Sequence, residues 1–252
     1  MAANFAPLVN LFVIQKMREH TSTQCIYCSS EATEREHVPP RCLLEKPYPP
    51  NLQTLPVCAH CNRGFALDEE YFIVLLSQIG TSDALTSKIG EGGSVDRALS
   101  HSPRLDDRIT DALSVSNDGR VMISPELPRV LDVVGKIALG LFVLRYRQVP
   151  SLREIECAEV HPYNIEESRP VATFVSTFTE HFRPKRWTTV QEGVFSYIFV
   201  RPMQSQRHLC CIMDFHSTAW GVAHVPIPRR FRSRRRTKSD PLQFQLKFDP
   251  SR

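Results

Sequence analysis

Two Cys-x-x-Cys pairs, Cys25-Ile26-Tyr27-Cys28 and Cys58-Ala59-His60-Cys61, stand 29 residues apart in this chain of 252 residues. Few folds can bring both pairs to one point. Each pair needs a tight turn, and the segment between them must return on itself. Four thiolates on two such turns are the donor set of a tetrahedral Zn²⁺ ion with no open coordination position, which makes the site structural. The gap is longer than a simple zinc ribbon carries. Small buried hydrophobes or a redox Cys-x-x-Cys are the alternatives, and two motifs this close together weigh against both. Zinc would hold a segment interrupted by Pro39, Pro40, Pro47, Pro49 and Pro50, which reads as an irregular loop over 38–53.

The residues enclosed by the pairs add groups that a purely structural zinc site does not need. Glu36 and Asn62 offer oxygen ligands, and His37 offers an imidazole suited to activating water near neutral pH. A hard cation such as Mg²⁺ takes one or two protein oxygens together with waters and substrate phosphate. Phosphodiester hydrolysis needs an activated water and a Lewis acid. His37 is thus the candidate base, and Glu36 and Asn62 are the candidate ligands of a catalytic Mg²⁺ or Mn²⁺. Adjacent residues of a strand point to opposite faces, so Glu36 and His37 need a bend or bulge to serve one site. Pro39-Pro40 is consistent with irregular backbone there.

The order Cys-x-x-Cys, acid-His, Asn51-Leu52, then Cys-x-x-Cys-Asn resembles the HNH endonuclease superfamily, the ββα-metal fold. It is most similar to the four-cysteine variant of phage recombination endonuclease VII. The resemblance covers roughly residues 22–79. It implies that Glu36 binds the catalytic metal, His37 is the general base, Asn51 braces the loop and orients His37, and Asn62 is the second metal ligand. Three features depart from the pattern. The acid is Glu instead of the commoner Asp, Asn62 stands where His is frequent, and the basic residues usual in the next helical turns are replaced by Asp68, Glu69 and Glu70. On a helix those acids rise roughly 9–12 Å beyond Asn62, so they read as surface residues.

Charge is unevenly distributed. The net charge of +4 includes seven basic residues between 229 and 238, namely Arg229, Arg230, Arg232, Arg234, Arg235, Arg236 and Lys238. Without them 24 Lys+Arg face 27 Asp+Glu, about −3. That run is a candidate phosphate-contacting arm, with a solvated charge run as the even alternative. Arg41 and Arg63 flank the proposed site and are candidate phosphate contacts. No secretory signal is evident, so reduced thiols and a cytoplasmic location are expected. The apolar stretch 130–146 contains Asp132 and Lys136 and reads as a core helix, not a membrane span.

The resulting expectation is an α+β protein. A short helix (1–21, its pattern over 5–19) precedes the zinc-knuckle module (22–79), which has a strand over 52–58 and a helix from Asn62. A linker (80–125) follows, with a short helix near 105–114. A C-terminal α+β domain (126–228) carries a helix over 127–147 and an antiparallel meander from strands 171–178, 193–201, 208–215 and 220–225. An Arg-rich tail (229–252) ends in an alternating segment at Leu242, Phe244, Leu246 and Phe248. Cys42 reads as a buried thiol, His60 as an exposed knuckle residue, and Trp187 and Trp220 as core. Metal-dependent cleavage of nucleic acid, DNA before RNA, is the expected function, in phage defence or a mobile element. A protein partner would dock on the C-terminal domain. The competing reading is a non-catalytic zinc module that binds nucleic acid or protein. Oligomeric state is not legible.

Overall fold

The computed structural model describes residues 18–80, 82–115, 117, 121–150, 152, 155–162, 187–201 and 207–227. Residues 1–17, the expected strand over 171–178, and the tail with its arginines from Arg229 to Arg236 and Lys238 lie outside the described residues. Arg18 and Glu19 do not end a helix. They form a short strand, β1 (Arg18–Glu19), paired antiparallel with β6 (Gln148–Val149).

The described chain is α+β, and its strand pairings are antiparallel. A hairpin, β2 (Glu34–Val38) and β3 (Gln53–Val57), leads directly into α1 (Ala59–Ile79). Three short helices follow, α2 (Asp83–Ile89), α3 (Ser94–His101) and α4 (Pro103–Ala112), and then a hairpin of β4 (Leu113–Val115) and β5 (Val121–Ile123). The long α5 (Leu127–Tyr146) precedes a five-stranded sheet. That sheet comprises β7 (Glu156–Pro162), β8 (Thr188–Gln191), β9 (Phe195–Val200), β10 (His208–Phe215) and β11 (Ala219–Pro226), in the order β7-β11-β10-β9-β8.

The stretch 80–125 is therefore not the linker its Gly and Ser content suggests. Two of the three helices there have a local start signal. The Ser82 side chain accepts from Leu85 N–H at 3.3 Å to cap α2, and Pro103 opens α4. The apolar residues are few but well placed, and Leu85, Val95, Leu105 and Ile109 are all buried. Composition registers how many apolar residues there are, not which face they share.

α5 sits in the middle of the molecule. It packs against α1, the β2–β3 hairpin and the large sheet, and so it is buried on nearly every side from Val133 to Val143. Gly140 allows its close approach to the hairpin, because a Cβ there would lie 2.9 Å from the Val38 side chain. One buried cluster runs from Cys25 through α1 and α5 to Phe215 and Ile227. The opposite sheet face carries a smaller cluster of Ile198, Cys210 and Ile212, packed against the tilted pair Trp187 and Trp220. No helix among the described residues is long and apolar enough to cross a membrane.

Candidate metal centre

The four cysteines converge. The Sγ atoms of Cys25, Cys28, Cys58 and Cys61 all lie within 4.8 Å of one another. Thiolates around a tetrahedral Zn²⁺ at about 2.3 Å are about 3.8 Å apart, so this donor set fits zinc and leaves no position for substrate. Among the described residues, no other group of three or more His, Cys, Asp or Glu side chains is placed to hold a metal. The first knuckle is a tight turn in which Ser29 N–H donates to Cys25 O at 3.1 Å and Ser29 takes φ 68°. The second knuckle is the start of α1. Cys58 caps the helix, its Sγ accepting from Cys61 N–H at 3.4 Å. Ile26 N–H donates to Pro56 O, which ties the first knuckle to β3. The thiols of the cluster divide. Burial raises Cys25 and Cys61, whereas at Cys28 hydrogen bonds from Ser30 and the neighbouring cysteines outweigh burial and lower the thiol to about 6.

The residues around this staple are arranged differently from the expectation. β2 and β3 pair in unbroken register, with Glu36 opposite Leu55 and His37 opposite Thr54. No bulge brings Glu36 and His37 together, and strand alternation places them on opposite faces of the hairpin. Glu36 faces inward and is 5% exposed. There its Oε1 accepts from the Lys136 ammonium of α5, which also binds Glu69 Oε1 of α1. Glu36 Oε2 is buried without a hydrogen-bond partner. Tyr27 lies alongside, its phenol held well above the usual range by burial and then by the charge of Glu36. Burial raises Glu69 to about 7 despite the neighbouring ammonium.

Asp68 and Glu69 are accordingly not the surface acids that helical rise suggested. Arg129 Nε donates to Asp68 Oδ1 at 2.5 Å, and Lys136 engages Glu69. Glu70 is exposed. Helical rise places these acids along α1, and α5 packed against that helix supplies their partners. Cys42, half-buried, points its Sγ at Glu69 Oε2 at 3.9 Å, and burial raises its thiol.

Asn62 does not meet Glu36. Its Nδ2 donates to Glu34 Oε2 at 2.6 Å. Glu36 and Asn62 therefore do not fit as the shared ligands of one cation. The oxygen-bearing groups that the fold does bring together are Glu34 and Asn62, both partly exposed and beside the second knuckle. They offer one carboxylate and one amide group, joined by that hydrogen bond. Glu34 had a legible signal, since it shares a strand face with Glu36 and lies two residues closer to the knuckles. Lys136 had none.

His37 is half-buried, and burial followed by the Arg41 charge lowers its pKa, so the ring is neutral at pH 7. Arg41 and Arg63 are exposed, and the Arg41 guanidinium lies 5.3 Å from the Tyr48 ring centroid. His60 is exposed. Asn51 is exposed in the turn before β3, where its backbone carbonyl accepts from Gln53 Nε2 at 2.9 Å.

The loop after His37 is held by two distant elements. The buried Lys88 ammonium of α2 donates to the carbonyls of Cys42 and Leu44 at 3.0 and 2.6 Å. The Gln191 side chain of β8 accepts from Glu45 N–H at 2.9 Å and donates to Glu45 O at 3.0 Å. Close to Lys88, between β10 and β11, His216 is fully buried with φ 55°; its ring lies by the Leu43 backbone but makes no well-formed hydrogen bond.

No family model, no curated protein and no solved structure matches this chain.

Proposed function

We propose that the chain is a metal-dependent nuclease of the HNH type that hydrolyses phosphodiester bonds in nucleic acid, DNA in the first instance. The observation that carries this reading is the hairpin-then-helix unit of β2, β3 and α1. Four clustered cysteines staple it, an acid-His strand forms one edge, and Asn62 lies in the first turn of the helix. Zinc on the cysteines supports the scaffold and takes no part in the chemistry. A divalent ion held by Glu34 and Asn62 would supply charge neutralisation at the phosphate. His37, neutral at pH 7, accepts a proton from water. Arg41 and Arg63 contact phosphate oxygens.

A second reading is a zinc module that binds nucleic acid or protein without cleaving it. The face alternation of β2 favours this reading, because it directs His37 away from Glu34 and Glu36. Plasmid and single-strand cleavage by zinc-loaded wild type, His37→Ala and Glu34→Gln, with Mg²⁺ or Mn²⁺, separates the two. The nuclease reading expects cleavage by wild type only, at equal zinc content. Binding of DNA without cleavage under any metal supports the second reading.

A further inference from the structure

We propose that the space between Glu36 and Glu69 is an ammonium site, occupied by Lys136 and closed to divalent metal. Lys136 is then the resident cation of the hairpin–helix junction and a positioning residue for β2.

The lining of the space carries the argument. Lys136 is 1% exposed and Glu36 is 5% exposed, so neither charge is shared with solvent. The ammonium contacts one oxygen of each carboxylate. Its other neighbours are aromatic, with the Phe65 ring centroid at 4.5 Å and the Tyr27 ring centroid at 5.9 Å. Aromatic faces attract an ammonium through their quadrupole. They offer nothing to Mg²⁺, which needs about six oxygen ligands in near-octahedral array and keeps its waters reluctantly displaced. Two carboxylate oxygens and two ring faces therefore match a monovalent, weakly directional cation.

The ammonium comes from α5, outside the hairpin–helix unit. Glu36 stands on the same strand as His37, so the position of Lys136 fixes the strand that carries the proposed base. The inference does not depend on the proposed nuclease activity, and its test separates the two.

The test uses zinc-loaded full-length protein. Lys136→Ala leaves a gap at the ammonium position. Added n-propylammonium chloride should raise the melting temperature of K136A above that in equimolar NaCl, and in the K136A/E34Q double variant, which lacks the Glu34 ligand, Mn²⁺ should not. Mn²⁺ binding, followed by electron paramagnetic resonance, should change by less than about threefold in Glu36→Gln, whereas Glu34→Gln should weaken it by about tenfold or more. Stabilisation of K136A/E34Q by Mn²⁺ equal to that by propylammonium overturns the proposal. Loss of Mn²⁺ binding in E36Q also overturns it. The E36Q variant keeps Lys136 in place and decides the matter where K136A does not fold. Wild type that binds no Mn²⁺ at all upholds the closed site and counts against the metal-dependent nuclease.

Discussion

Lys136 on α5 and Glu36 on β2 are 100 residues apart in the chain and form an ion pair that solvent scarcely reaches. Such pairs are costly to break singly, because the remaining charge is buried without a partner, and cheaper to remove together. Lys136→Met and Glu36→Gln should each destabilise the protein, the lysine variant by about 3–5 kcal/mol. The double variant should lose less than the sum, leaving a coupling of about 1–3 kcal/mol. Urea unfolding of the zinc-loaded proteins measures this. Strict additivity would show that the pair does not interact.

Zinc should bind at one ion per chain and depend on the clustered thiols alone. Cys25→Ser or Cys58→Ser should release it and loosen the two knuckles, because these two thiols are buried among the four donors. Cys42→Ser and Cys210→Ser should retain it. Elemental analysis after gel filtration gives the count. Equal zinc in all four variants would contradict the four-thiolate site.

A fragment ending after α1 should not fold as a stable unit. Tyr71, Phe72, Val74 and Leu76 of α1 are 0–1% exposed in the whole chain, and α5 is the element packed most extensively against α1. The fragment 18–80 should bind zinc yet unfold without a sharp thermal transition, by circular dichroism. A cooperative transition close to that of the full chain would show that the hairpin–helix unit stands alone.

Acid should act through His216. Burial, and then the nearby Lys88 ammonium, lower its pKa to about 4 from 6.5. Between those values the unfolded chain binds the extra proton. The stabilisation is therefore complete above about pH 6.5 and is lost as pH falls towards 4, on the order of 3 kcal/mol across the window. His216→Asn, which tolerates the left-handed backbone, should flatten stability against pH in that range relative to wild type. Loss of zinc in acid affects both proteins alike, so the difference isolates the ring. Parallel curves would refute the assignment.

The elements with a strong local signal were legible in the sequence. The cysteine spacing announces the cluster, and the strands 208–215 and 219–226 and the helix 127–146 fall where alternation or apolar length places them. Adjacency in the chain was a poor guide to adjacency in the site. Glu36 and His37 part company because a regular strand sends neighbours to opposite faces. Asn62 meets Glu34 instead of Glu36 because the register sets Glu34 opposite Val57, next to the second knuckle. Asp68 and Glu69 looked like solvated acids because their partners, Arg129 and Lys136, lie more than 60 residues downstream. Nothing local in the sequence marks a lysine within an apolar helix as the counter-ion of a distant strand.

The Gln191 carboxamide imitates a peptide group, meeting the N–H and the C=O of Glu45 as a neighbouring strand would. It carries no charge and has no proton to gain or lose. Acid that protonates Glu36 and Glu69 would loosen the grip of Lys136 on the strand that carries His37, but this clasp is indifferent to it. The loop beyond His37 thus stays moored to the large sheet when nearby carboxylates change their charge, and proline in place of Glu45, which has no N–H to give, would undo half of the mooring.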